Sequence, residues 1–576
     1  FFRKWPKKLP YPATVQFGRP IPHREADIAT VRERLLLLGE EAYQQRPSLK
    51  GHLAYACVRA LKRWQFDPAV RDGLDGSVLS RGMLLAVAIV FSKLLRKASA
   101  NQRVGILLPP GRGAMIANLA VTLAGKVPVN LNFTAGRAAV GAVIRIAGLT
   151  EVITADPVLK KVGEMPLPDK VLYIEQLLPP LKKQIVLWRA LVALLPSRVL
   201  TAFLGLTNRG DRDEAALLFT SGSSGDPKGV ILSHRNILGN VSQITEMLNL
   251  QRGDSVLASL PFFHSFGFTV TIWFPMLAGI CAVTYPSPID ADKNAELIQK
   301  FGITLVLATP TFLRGYLRKS SAEQWKSVKL LVTGAEKLPL DVAEAFQEKF
   351  GIPVMEGYGL TETSPVVSVN LPPPPKRSPS DEVQPSARLG SVGKLAPGMA
   401  AQIRDPDTGK VLSLHETGML WLKGPNIFEG YFNNPGQTAA VIQDGWFKTG
   451  DLARFDEDGF LYIEGRLSRF SKIGGEMVPH ETVETKIYAA LGLAGTDQRV
   501  FCVTGIPDAS KGEALVLLST QEVDLPALRS RLLAEGVPAL WIPKVVRVVP
   551  AIPVLGSGKL DLRACRELAM ELALEK

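Results

Sequence analysis

From about residue 100 onward, short β-rich apolar runs alternate with stretches of helical periodicity, and this alternation restricts the chain to a parallel α/β design. Arg103–Leu108, Ser255–Leu260, Thr304–Ala308 and Lys329–Thr333 read as short buried strands. Met115–Ala124, Ile237–Leu250 and Val342–Phe350 carry the spacing of helices, which parallel strands need as crossovers. Residues 371–388 hold Pro372–Pro375, Pro379 and Pro385, and so predict a loop that cannot join a central strand. The turns at Asp407-Thr408-Gly409, Asp444-Gly445 and Asp458-Gly459 then predict antiparallel structure. From about residue 467 a small α+β unit begins. In it Arg499–Thr504 and Ala514–Thr520 read as paired strands, Leu525–Glu535 as a helix and Val545–Val549 as a strand. Ahead of all this, Thr14–Phe17 predicts a short strand and Glu25–Gln45 a charged helix, too little to build a core of their own.

A length of 576 residues predicts several folding units, and 46% hydrophobic residues excludes global disorder. The formal charge of +13 is uneven: residues 1–110 hold 19 of the 67 basic side chains and only 8 of the 54 acidic ones. A uniformly basic nucleic-acid binder is therefore excluded, and a basic end on a near-neutral, enzyme-like body fits. Cys57, Cys281, Cys502 and Cys565 are far apart in sequence, which argues against a disulfide framework or zinc knuckle and for a reducing cytoplasm. No apolar run reaches the ~18 residues of a membrane span. Val186–Leu206 comes nearest, but Arg189, Pro196 and Arg198 interrupt it. It reads as packing helices, with contact to a membrane surface as the alternative. Phe1-Phe2-Arg3-Lys4 reads as a start inside a longer gene product.

The densest chemical signal is Leu218-Phe219-Thr220-Ser221-Gly222-Ser223-Ser224-Gly225-Asp226-Pro227-Lys228-Gly229-Val230. An apolar strand runs into hydroxyls, glycines and a lysine. Such a loop can turn backbone N–H groups, O–H groups and a positive charge onto phosphate oxygens. Other phosphate loops fail: Gly556-Ser557-Gly558-Lys559 is followed by Leu560 where a Walker loop needs Ser or Thr, and Gly111-Arg112-Gly113 lacks the third small residue of a dinucleotide fingerprint, Ile116 standing there.

The Thr220–Gly229 run resembles the signature of adenylate-forming (AMP-binding) enzymes: acyl-CoA synthetases, peptide-synthetase adenylation domains and luciferases. Further motifs follow in the family's order: Tyr358-Gly359-Leu360-Thr361-Glu362, Thr449-Gly450-Asp451, Gly465-Arg466 with Lys472 and Gly474-Gly475-Glu476, and Pro553 through Gly558-Lys559. The resemblance covers about residues 50–576. It implies a large domain of α/β subdomains plus a β-rich subdomain, over 49–466, and a small mobile α+β domain, over 467–576. It implies ATP and Mg²⁺ as cofactors and AMP as a product. Phosphates would sit at Thr220, Ser221, Gly222, Ser223, Ser224, Gly225 and Lys228. Tyr358 and Gly359 would meet adenine, with Gly334, Ala335 and Glu336 beside it, and Asp451 and Arg466 would meet the ribose. Thr361 and Glu362 would act at phosphate and Mg²⁺, since Mg²⁺ takes oxygen ligands. Lys559 would be the cation of adenylate formation, because a carboxylate attacking a phosphate brings two negative charges together. The domain hinge would fall at Ser468, where the family often carries Asp or Lys. Lys472 would face the site in the thioester-forming state, and His264 would stand at the acyl pocket.

Within that family, Leu260–Gly267, Tyr285–Pro288, Val332–Leu338, Lys472–Val478 and Asp508–Val516 look very like the synthetase half of bacterial bifunctional 2-acylglycerophosphoethanolamine acyltransferase/acyl-acyl carrier protein synthetase. Val15–Pro22 resembles the end of the acyltransferase domain that precedes it, so residues 1–48 read as a remnant and linker. The acyltransferase's own His-x4-Asp pair is absent, His23 and Asp27 being one residue too close. The expectation is an AMP-forming acid–thiol ligase. It would load a fatty acid onto acyl carrier protein for lysophospholipid reacylation, at the cytoplasmic face of a bacterial inner membrane. Coenzyme A as acceptor, and a non-catalytic membrane-surface or scaffolding remnant, are the alternatives.

Overall fold

The structure is a computed structural model that describes residues 14–98, 100–220, 227–374, 383–474, 476–493, 499–508, 510–554 and 560–574. Its largest sheet has nine strands. Six run parallel in the spatial order Val354–Gly359, Leu330–Thr333, Leu305–Ala308, Ser255–Ala258, Cys281–Thr284 and Pro68–Asp72. Antiparallel strands close both edges, Val78–Ser80 at one and Val366–Val369 with Lys394–Leu395 at the other. A second, wholly parallel sheet of four strands is built from Val127–Asn130, Arg103–Ile106, Glu151–Thr154 and Lys170–Tyr173. The four strands expected for these parallel sheets are in place, each shorter by one or two residues. The helices are Arg112–Leu123, His234–Met247 and Leu340–Phe350.

Parallel strands bury both faces, which is why their burial is continuous: all four residues of Ser255–Ala258 and of Leu305–Ala308 are buried. Aromatic packing fixes the helices outside them. Trp325, fully buried, meets the rings of Tyr316 and Phe346 edge-on, each at 5.0 Å between centroids. Each such pair stabilises by about 0.5–1.5 kcal/mol beyond its burial.

The Asp-Gly and Thr-Gly turns mark a five-stranded antiparallel sheet, Ala400–Arg404, Gly418–Lys423, Trp446–Phe455, Ile442–Gln443 and Leu461–Arg466. A three-stranded sheet joins Glu214–Thr220, Lys228–Ser233 and Gly430–Tyr431. After a short turn at Leu467–Arg469, the small α+β unit pairs Phe501–Asp508 with Gly512–Ser519 antiparallel and lays Val545–Val548 parallel beside the latter. Its two cores are its own, and Cys502 and Cys565, 63 positions apart, lie in the same one as free thiols.

The strand expected at Thr14–Phe17 is not formed: the segment is extended and exposed, and no described strand pairs with it. Val15 and Phe17 alternate as a strand would, but both side chains are open to solvent, at 70% and 86% exposure. The charged helix runs Ile28–Gln44, capped by Asp27, which accepts from the Thr30 N–H at 2.7 Å. It packs against the Ala400–Arg404 strand, and its Tyr43 lies so close over Gly398 that a Cβ there would be 2.3 Å from the ring. Among the described residues no helix is long and apolar enough to cross a membrane.

Candidate active site

Three loops leave the carboxyl ends of parallel strands in the nine-stranded sheet, the edge where open α/β sheets bind ligands. Leu260–Gly267 follows Ser255–Ala258, Gly334–Glu336 follows Leu330–Thr333, and Leu360–Thr363 follows Val354–Gly359. Ser265 Oγ approaches Thr361 Oγ1 at 3.4 Å, and a Cβ on Gly334 would lie 3.3 Å from the Gly357 carbonyl and 3.9 Å from the Phe266 ring. Gly359 is fixed by packing, since a Cβ there would meet the Pro365 carbonyl at 2.0 Å. Ala335 takes a φ of 70°, a conformation that residues other than glycine seldom adopt.

Thr361, Glu362 and Thr363 form one turn of 3-10 helix. The Leu360 N–H donates to Thr363 Oγ1 at 2.9 Å, and Asn426 Nδ2 donates to the Thr363 carbonyl at 2.7 Å. Glu362 is held from a second direction: Tyr431 donates its O–H to Glu362 Oε1 at 2.9 Å, and Lys228 Nζ lies 5.8 Å from the centre of the Tyr431 ring. Tyr431 reaches this place because Gly430–Tyr431 pairs with the Lys228–Ser233 strand, Tyr431 opposite Val230. On its other side the Lys228–Ser233 strand pairs with Glu214–Thr220, which sets Thr220 opposite Lys228. Ser221, Gly222, Ser223, Ser224 and Gly225 lie outside the described residues, as do Gly475 and Lys559.

On the β-rich side, Asp451 stands opposite Arg466 on adjacent strands. Its carboxylate pairs with Arg466 Nε at 3.2 Å and accepts a short hydrogen bond from the Tyr358 hydroxyl. Burial pushes the Asp451 carboxyl up from its ordinary value, although Arg466 draws it down. Tyr358 is raised well above the usual phenol range by its own burial and by Asp451. The Asp451 carboxylate raises the Arg466 guanidinium, and Glu362 and Glu481 add to this.

Other expected residues are placed differently. Glu336 has its carboxylate on Thr311, accepting from the hydroxyl at 2.8 Å, and so caps the Pro310–Lys319 helix. His264 is exposed, its ring edge-on to Phe263 at 4.7 Å between centroids. Lys472 is bound by Asp407, in the turn after the Ala400–Arg404 strand, and Asp407 raises its pKa. It is not among the Thr361–Asp451 cluster. Ser468 is exposed, whereas the next residue, Arg469, is buried and ion-paired with Glu484 at 2.6 Å.

Three further groups escaped sequence reasoning. Tyr431 carried no signal beyond being an aromatic in a short Gly-Tyr pair. Glu356 is buried under the Gly334 loop, accepts from the Leu338 N–H at 2.9 Å, and is pushed up to about 7 by burial. The third is a stripe of buried amides, Asn236, Asn240 and Gln243, on the His234–Met247 helix. They donate to the carbonyls of Ile427 at 2.7 Å, Val366 at 2.8 Å and Pro397 at 2.9 Å, and so hold the segments that carry Glu362 and Tyr431. Their spacing of four and then three residues is legible in the sequence as one polar helix face.

Comparison with known proteins agrees with this geometry. A family model described as AMP-binding enzyme matches residues 60–432. A long-chain-fatty-acid–CoA ligase of Bacillus subtilis is 32% identical over 370 residues, 62% of each chain, so the match spans about six tenths of that relative's length. The ATP-bound structure of MatB from Rhodopseudomonas palustris superposes with a TM-score of 0.69 at 25% identity, covering 89% of this chain and 99% of that one. O-succinylbenzoate coenzyme A synthetase of Bacillus subtilis, in complex with AMP, gives 0.71 at 23% identity over 89% and 98%, which shows the fold. With the fold, the loops at the carboxyl edge and the family match in agreement, the chain belongs to the AMP-binding enzymes and has the adenylate-forming fold.

Proposed function

We propose that this protein activates a fatty acid with ATP to acyl-adenylate and passes the acyl group to the phosphopantetheine thiol of acyl carrier protein. The observation that carries this is the convergence of Lys228, Thr361, Glu362, Tyr358, Asp451 and Arg466 around one sheet edge.

Bound Mg-ATP would supply the phosphate at which a carboxylate becomes activated. The described residues contain no cluster of three or more His, Cys, Asp or Glu side chains able to hold a metal. That suits Mg²⁺, which is usually held by one or two carboxylates together with phosphate oxygens and water. Glu362 is the fitting ligand, one oxygen held by Tyr431, with Thr361 beside it. Thr220, Lys228 and the intervening loop would receive the phosphates. Tyr358 and the Gly334 backbone would receive adenine. Asp451 would accept ribose hydroxyls beside Arg466 and Tyr358, since each carboxylate oxygen, with one partner already, can accept a second hydrogen bond. Lys559 would bring its cation to the joining carboxylate and phosphate, and the leaving thioester needs no cysteine of this chain.

Acyl carrier protein as acceptor, reacylation of lysophospholipid, and a place at the cytoplasmic face of a bacterial inner membrane rest on the segment resemblances at Val15–Pro22, Leu260–Gly267 and Lys472–Val478. Coenzyme A is the second reading, favoured by the name of the Bacillus subtilis relative. Both acceptors end in the same pantetheine arm. Fatty-acid-dependent AMP release, measured with each acceptor and several chain lengths, separates them: faster release with carrier protein is expected, and a clear preference for coenzyme A would reassign the acceptor. Folded protein without fatty-acid-dependent pyrophosphate exchange would leave only the non-catalytic surface or scaffolding role.

A further inference from the structure

The Val186–Leu206 segment forms two helices, Lys182–Leu194 and Ser197–Phe203, joined at Pro196. One side of the pair is core: Trp188, Val192, Leu200 and Leu204 are buried. The other side is apolar as well, and open. Val186 is 68% exposed, Leu187 59%, Leu194 80% and Phe203 65%. Val186, Ala190 and Leu194 follow one another at four-residue spacing, so they form one row along the helix. The second helix continues the surface, because the Phe203 ring lies 5.8 Å from Trp188. Phe66, 74% exposed, joins from a neighbouring element through Arg189, whose guanidinium lies 5.1 Å from its ring. Packing explains the buried side and leaves the exposed one without a structural role. Contiguous exposed apolar surface of this kind marks a contact site.

The charge around it selects the partner. Residues 177–210 contain Lys182, Lys183, Arg189, Arg198 and Arg209 and not one Asp or Glu. Among the described residues no ion pair engages Lys182, Lys183 or Arg198. Lys93, from the helix packed beneath, places its ammonium 4.1 Å from the Trp188 ring. Open leucine, valine and phenylalanine side chains on a stretch whose charged residues are all cations complement an anionic bilayer, with acyl chains for the first and headgroup phosphates for the second.

We infer that the Lys182–Phe203 helix pair is a lipid-docking face that seats the protein on anionic membranes. It rests on the lipid-linked reading above only for the place of work; the surface chemistry is independent of the acceptor. The test is co-sedimentation of the whole chain with vesicles of phosphatidylglycerol and phosphatidylethanolamine, with phosphatidylcholine vesicles as the neutral comparison. The expected result is binding to the anionic vesicles that weakens as salt rises and is several-fold weaker on neutral ones. Lys182→Gln with Lys183→Gln should weaken it about twenty-fivefold, each lysine contributing about a factor of five. Leu187→Ser, Leu194→Ser and Phe203→Ser together should weaken it at least about tenfold. Both variants alter exposed side chains and should keep wild-type melting and wild-type pyrophosphate exchange on a short soluble fatty acid without vesicles. Absence of wild-type binding, or binding unchanged in both variants, overturns the inference. So does a face that, in chromatography, pairs two copies or holds acidic carrier protein instead of vesicles. If exchange fails in the wild type while vesicle binding and its sensitivity to the variants remain, the enzymatic reading falls and the docking face stands.

Discussion

Tyr431 is the residue whose role is set by geometry alone. Its hydroxyl fixes one oxygen of Glu362 while its ring lies near Lys228, so it links the carboxylate expected at Mg²⁺ to the lysine expected at phosphate. Tyr431→Phe keeps the ring and removes the hydroxyl. A hydrogen bond to a charged group contributes about 1.5–3 kcal/mol, so pyrophosphate exchange should fall about tenfold or more and need more Mg²⁺ for half-maximal rate, with melting little changed. An unchanged Mg²⁺ titration would reduce Tyr431 to packing. Glu356 makes a pH-dependent contribution. Its folded pKa of about 7 lies above its ordinary 4.5, so the folded protein keeps a proton that the unfolded chain has released. Its contribution to stability is therefore complete below pH 4.5 and is lost as pH rises to about 7. Glu356→Gln keeps an oxygen for the Leu338 N–H and does not ionise. Relative to wild type the variant should gain up to about 3 kcal/mol across that window and no more above it, as measured by denaturant melts at several pH values. No such pH dependence could be read from the sequence, since it comes from burial beneath a loop 20 residues away.

Among the elements, the turn at Leu467–Arg469 matters most, because it leads from the five-stranded sheet into the small α+β unit. The resemblance places the hinge at Ser468, which is exposed in that turn. Arg469 is anchored: Nη2 bonds Glu484 at 2.6 Å and Nη1 the Val503 carbonyl at 3.1 Å, while the Val503 N–H donates to Glu484 at 2.7 Å. Removing one partner of a buried pair leaves an uncompensated charge. Arg469→Met should destabilise the small domain by about 3–5 kcal/mol, and Arg469→Met with Glu484→Leu should recover much of that. Differential scanning calorimetry of single and double variants checks this, and equal losses in both would assign the effect to packing. The His234–Met247 helix shows why part of the site was legible and part was not. Its capping box, Ser233 with Asn236, follows from the residue types. That its amide face would clamp segments 126 to 191 residues further on depends on which loops the sheet brings there.

At the scale of the molecule, the structure holds one arrangement of the small unit against the five-stranded sheet's loops, with Lys472 bound to Asp407. If the small domain turns between half-reactions, the two lysines should separate kinetically. Lys559→Ala should lose adenylate formation yet keep most transfer from supplied acyl-adenylate, whereas Lys472→Ala should show the opposite bias. Rapid-quench measurement of both steps decides it, and equal damage to both steps by either variant contradicts the assignment. The parallel α/β core, the antiparallel unit after the proline-rich loop, the small C-terminal unit and the ordered motifs were all legible from the chain, because strand and helix period, turn residues and short phosphate or carboxylate motifs are local properties. Thr14–Phe17 was misread for the same reason: alternation is local, but a strand needs a partner edge. What only tertiary structure decided was which distant groups meet. It put Tyr431 on Glu362, Asp451 between Tyr358 and Arg466, Glu336 on Thr311 and Lys472 on Asp407, and it turned one side of Lys182–Phe203 to solvent. Those outcomes follow from strand register and from the packing of loops on a shared sheet edge, which join residues tens to hundreds of positions apart and leave no local trace in the sequence.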